Sequence, residues 1–177
     1  MNNSYSEKFK NLVLYILSHD SYREGGIKKL NKILYFIDFY FFKEHERFIS
    51  DVNYAKANMG PVVDGYQKLF SEMVTDGVLK QQTDGVIVYR PTQACDLSFF
   101  EPEEIEHIRN ILDEYGKLSA SILETISHQQ QPWLLTEKMG DIIDPDLALL
   151  IDNSESEEVN FENEKLKSEL ISLADSV

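Results

Sequence analysis

Between Gly26 and Phe42 the chain reads GIKKLNKILYFIDFYFF, and no other stretch limits the possible folds so tightly. Ile27, Leu30, Leu34, Ile37 and Phe41 recur at steps of three and four, which puts them on one stripe of a helix. Lys28, Lys32, Tyr35 and Asp38 follow the same spacing on another side of the axis. Phe36, Phe39, Tyr40, Phe41 and Phe42 make the second half apolar nearly all round. Such a helix needs neighbours on several sides, or a partner protein. The spacing predicts a helix from about Ile27 to Glu44 as the central element, with its charge-and-phenol row turned toward a cleft.

The flanking segments supply the packing partners. Ser4 and Glu7 stand three apart ahead of Leu12, Val13, Ile16 and Leu17, the pattern of a capped amphipathic helix ending near Ser18 to Asp20. Residues 48–57 read as extended. Gly60-Pro61 is expected to open the next helix, with Val62, Val63, Tyr66, Leu69, Phe70 and Met73 inward and Asp76-Gly77 as its end. Asp84-Gly85 between residues 78–82 and 86–90 predicts a β-hairpin, which must lean on the helices to persist. Pro102 begins a helix that Gly116 ends, and Ser119 caps another carrying Ile122, Leu123 and Ile126. Pro145 to Ile151 reads as a short helix, and Leu166, Leu170 and Leu173 mark a weakly amphipathic stretch after Glu164. The fold class expected is mainly α (α+β), a compact multi-helix domain around the aromatic helix with a small β-hairpin.

Charge narrows the function classes. The 177 residues carry a net charge of −14. Nine acids and no lysine or arginine lie between Asp141 and Glu164, so the rest of the chain holds only −5. Generic nucleic-acid binding is disfavoured by this excess, while a local basic groove stays open. The division expected is a domain over 1–151 and an acidic C-terminal extension over 152–177, partly disordered or weakly helical. No apolar run reaches the ~20 residues that cross a bilayer. No secretory leader is evident, and the single cysteine, Cys95, forms no internal disulfide, so a cytoplasmic location without membrane association is expected.

Catalytic signatures are sparse. His19, His45, His107 and His128 lie far apart, and no zinc-ligand set, P-loop or dinucleotide fingerprint occurs. Neither catalytic residues nor a cofactor is expected, and the chain reads as a non-enzyme. Two readings of Lys28, Lys32, Tyr35 and Asp38 stay open: ion pairs and hydrogen bonds that hold the helix in register, or polar anchors for a partner. His128 and Trp133 are similarly divided, between closing a helix and plugging the core on one side and an interface anchor on the other.

Several pieces resemble one family. They are Lys29-Leu30-Asn31-Lys32-Ile33-Leu34-Tyr35-Phe36-Ile37-Asp38, then Tyr54, Ala57 and Gly60-Pro61-Val62, then Tyr115-Gly116-Lys117-Leu118-Ser119-Ala120, and Ser127-His128 with Pro132-Trp133. In this order, over about residues 8 to 151, they are similar to the Panacea antitoxin domain family, which includes SocA-like antitoxins and phage-associated proteins. The resemblance implies a helical scaffold acting as the antitoxin of a toxin–antitoxin module, with a cognate toxin protein as partner. Lys28, Lys32, Tyr35, Asp38, Tyr54, Gly60, Pro61, His128 and Trp133 are the residues expected to form or support the contact. An adaptor that delivers the toxin to an unfoldase protease is the alternative mechanism, and an enzyme reversing toxin modification is a third. Homo-oligomerisation stays open.

Overall fold

The structure is a computed structural model that describes residues 4–23 and 25–152. The stretch after Glu164 and nearly all of the acidic extension lie outside these residues. Helix α1 (Glu7–Ser18) is capped by Ser6, whose hydroxyl accepts from the Phe9 N–H at 3.0 Å. Ser4, the expected cap, instead donates from its N–H and its hydroxyl to the Glu72 carboxylate, both at 2.9 Å. A long-range carboxylate thus outcompetes the local capping position.

Helix α2 (Ile27–His45) is the axis of the molecule, and every residue from Lys29 to Phe39 is buried. Lys43 lies in its last turn, where a cation offsets the partial negative charge of the free carbonyls. Its aromatic side chains pack in edge-on and offset pairs, among them Phe36 with Tyr115 at 4.8 Å and Phe39 with Tyr54 at 5.5 Å. Of the two expectations, neighbours on several sides or a partner protein, the first is met for residues 29–39.

Strand β1 (Tyr54–Ala55) pairs antiparallel with β2 (Val62–Val63), Tyr54 opposite Val63 and Ala55 opposite Val62. The helix expected to open at Gly60-Pro61 begins later, as α3 (Tyr66–Thr75). The β-branched pair Val62-Val63 suits an extended backbone. The buried Asn31 side chain reinforces it, accepting from the Val63 N–H at 2.9 Å. Strands β3 (Leu79–Asp84) and β4 (Val86–Pro91) form the expected hairpin around Gly85. Buried Leu79 and Tyr89 fasten it to the helices, with Tyr89 and Phe70 rings 5.2 Å apart.

Helix α4 (Pro102–Tyr115) starts with a reciprocal capping box between Glu101 and Glu104. The buried Glu104 carboxylate also receives Lys8 at 2.8 Å and Arg47, tying α1 and the segment just after α2 to α4. Ser119 caps α5 (Ala120–Gln129) as expected. A short helix the sequence reading missed, α6 (Gln131–Leu135), follows at once, with Pro132 in its first turn. The chain then returns to β1: the Ile143 N–H donates to the Tyr54 carbonyl at 2.8 Å, and the Lys56 N–H to the Asp141 carbonyl at 2.9 Å. The expected short helix is a 3₁₀ turn, Pro145–Leu150, packed on α2 and α6. No helix among the described residues is long and apolar enough to cross a membrane.

Candidate functional site

The row on α2 divides into two parts. Its first turn opens on a groove of about 300 Å³ lined by residues of α2 (Lys28, Asn31, Lys32), of the loop before β2 (Asn58, Met59) and by Tyr66. Its later members do not reach that groove. Tyr35, Asp38 and Tyr54 have no exposed surface. The expectation of a charge-and-phenol row facing a cleft along its whole length is therefore corrected, and the reason is that each later member is consumed by an internal bond.

Asp38 is the hub of these bonds. Its carboxylate accepts from the Ile49 N–H (2.8 Å), the Ser50 N–H (3.0 Å), the Ser50 hydroxyl and the Tyr54 hydroxyl (2.6 Å). It therefore fixes the segment that leaves α2 and returns as β1. Tyr35 donates to the Gln130 side-chain carbonyl at 2.9 Å, joining α2 to the junction of α5 and α6. These residues brace the elements behind the groove and do not line it.

Lys32 links the two parts. Its ammonium donates to the Pro61 carbonyl at 2.6 Å, and the side chain is fully covered. Burial pushes its pKa from 10.5 down to about 7, with Glu124 opposing and Lys28 adding to the shift. Gly60 makes this bond possible. Its φ of 88° lies in the left-handed region, and an added Cβ would stand 2.5 Å from Ser127 Oγ and 2.8 Å from Lys32 Cε. Lys28 forms a partly exposed ion pair with Glu124 of α5. The adjacent Lys29 points elsewhere, donating to the carbonyls of Arg23 and Gly116 at 2.7 Å each.

His128 and Trp133 sit behind the loop that carries Met59. Their rings are 4.2 Å apart. The Trp133 indole N–H donates to the Ala57 carbonyl at 3.0 Å, and the Lys56 ammonium lies 4.4 Å over the indole ring. Trp133 is half-buried rather than a core plug, and it clamps the loop from outside. Burial lowers the His128 pKa, with Glu124 opposing. Met59 itself, held between the Lys32–Pro61 and Trp133–Ala57 bonds, is 56% exposed.

Asn31, Met59, Tyr66 and Glu124 were missed as candidates. Asn31 had a legible signal, since it falls three residues after Lys28 on the same face. Met59 and Glu124 had none, because only the tertiary fold brings α5 and the loop together. Among the described residues no group of three or more histidines, cysteines or carboxylates is placed to hold a metal ion.

The groove and its supports are built almost wholly from one segment, and residues 30–134 match the model of the family described as antitoxin SocA-like, Panacea domain. That is more than half of the chain. This protein belongs to the Panacea family. No curated protein and no solved structure matches it. Within the Panacea segment fall Lys32, Tyr35, Asp38, Tyr54, Gly60, Pro61, His128 and Trp133, while Lys28 stands two residues ahead of it. Family membership gives the antitoxin class and, with it, a toxin as the class of partner.

Proposed function

We propose that this Panacea-family chain neutralises a cognate toxin by direct, stoichiometric protein–protein contact, with the groove beside Met59 forming part of the contact face. The supporting observation is the clamped loop. A large flexible apolar side chain stands out of a backbone that is fastened on both sides, over a cavity with Lys28 and Lys32 in its floor. Fixing the loop before binding lowers the ordering cost of association, so an exposed methionine there is a contact residue rather than a stray surface side chain. In this reading Lys28 lines the site, Lys32, Gly60 and Pro61 shape it from beneath, and Tyr35, Asp38, Tyr54, His128 and Trp133 support it. With a net charge of −14, the chain would also steer toward a basic toxin, at an association rate that falls as salt is raised.

The test is co-expression and titration with the product of the adjoining gene. Met59→Asp is expected to weaken binding at least ~10-fold, the effect of losing an apolar anchor, with the unfolding midpoint unchanged. Lys28→Glu should weaken it less. Full toxin binding by folded Met59→Asp protein would remove the groove from the contact face. Rescue of a toxin-modified target by catalytic amounts of the chain would replace sequestration by an enzymatic mechanism.

A further inference from the structure

The greatest concentration of exposed apolar side chains among the described residues lies on α6 and the segment after it. Helix α6 and the 3₁₀ turn Pro145–Leu150 pack against each other. Each ends in two leucines, Leu134-Leu135 and Leu149-Leu150, that remain 52 to 55% exposed, and Met139 and Ile142 between them are exposed to a similar degree. The segment is not loosely attached, since Ile143, Ala148 and Ile151 are buried in the core and anchor its inner side. A dense set of large apolar groups on a firmly held support marks an association surface.

Its charges identify the partner's chemistry. Glu137, Asp141, Asp144 and Asp146 are exposed in the same segment and Lys138 is its one basic residue, while Lys43 and Lys56 of neighbouring elements are held by the carbonyls of Ile151 and Thr136. A second copy of the chain would bring the same carboxylates against one another. The adjoining sequence from 153 to 164 carries five more acids and no base, so charge opposes the return of that stretch to this face, and the rival within the chain is the later stretch in which Lys165 and Lys167 accompany Leu166, Leu170 and Leu173. Five of the six apolar side chains also lie beyond residue 134, where the family match ends.

We propose that this face is a second docking surface for the toxin, receiving an amphipathic element whose apolar stripe is flanked by lysine or arginine. The inference rests on the antitoxin reading and adds a contact remote in sequence from Met59. Apolar burial supplies the attachment, and the acidic rim selects the sign of the partner's flanks.

The experiment uses the full chain and two variants, Leu135→Ser/Leu150→Ser and Glu137→Lys/Asp146→Lys. The first should weaken binding to the adjoining gene's product at least tenfold without lowering the unfolding midpoint. The second should weaken it similarly at low salt and flatten its salt dependence. A labelled synthetic Leu/Lys amphipathic helix should bind the wild-type chain at least tenfold more tightly than its Leu/Glu counterpart, and the serine variant should lose that preference. Three results would overturn the proposal: unaltered toxin affinity in both variants, a wild-type dimer that the serine substitutions dissociate, or tenfold tighter peptide binding once residues 153–177 are removed. Absence of any complex between the wild-type chain and the gene product refutes the antitoxin reading, while the peptide arm still judges this face.

Discussion

Asp38→Ala is expected to cost about 3 kcal/mol of stability at pH 7, because it leaves four donors without an acceptor inside the core. The Ile49 and Ser50 N–H groups and the Ser50 and Tyr54 hydroxyls all converge on this carboxylate, and all three residues are fully buried. Asp38→Asn, which retains one acceptor oxygen, should lose less. Burial raises the Asp38 pKa from 3.8 to about 6, against the pull of those same donors. The folded value lies above the unfolded one, so between about pH 4 and 6 the folded chain keeps a proton that the unfolded chain has released. This group's contribution to stability therefore falls as pH rises through that window, by about 3 kcal/mol for about two units, and is level above it. Alanine at position 38 removes the fall, so the gap between wild type and variant should be wider at pH 4 than at pH 7. Urea titrations across that range measure the gap, and the carboxyl carbon of Asp38 should titrate near pH 6 in NMR spectra. A midpoint near the ordinary 3.8 would refute the desolvation argument.

Gly60→Ala should destabilise by about 3 kcal/mol, from left-handed backbone strain and overpacking together, and it should also abolish high-affinity toxin binding. The obstructing atoms cannot withdraw freely. Lys32 is held by the Pro61 carbonyl, and Ser127 Oγ donates to the Glu124 carbonyl at 2.9 Å. Relief must come from the loop itself, which displaces Met59. Gly65→Ala is the matched control: its φ of 66° is also left-handed, but nothing stands within 4 Å of the added carbon. It should cost only about 1 kcal/mol and leave binding unchanged. Equal losses at the two positions would show that backbone strain alone, and not the close approach of Lys32 and Ser127, makes Gly60 necessary.

These two sites show what the sequence makes legible. The periodicity of α2 identifies the central helix within one residue of its observed end, because an all-round apolar helix has few other places to go. The Asp84-Gly85 hairpin and the Ser119 cap are equally local signals and are found where expected. The Gly60-Pro61 bend reads in sequence as a helix start but leads into β2, since proline suits both the first turn of a helix and the approach to a short strand, and the deciding bond comes from Asn31, 32 residues away from Val63 in sequence. The row on α2 was legible as special but not as buried. Periodicity places Lys32, Tyr35 and Asp38 together on a face, whereas their partners at Pro61, Gln130 and Ser50 are supplied by other elements. Helix α6 was missed because five residues give too short a window for a period to register.

The placement of β1 bears on where the protein can be cut. This two-residue strand is flanked by β2 on one side and by residues 141–143 on the other. The family match stops at 134. A recombinant fragment trimmed there would strip β1 of one neighbour, withdraw Ile143, Ala148 and Ile151 from the interior, and turn a sealed centre into an adhesive edge. The smallest piece worth expressing therefore extends through Ile151.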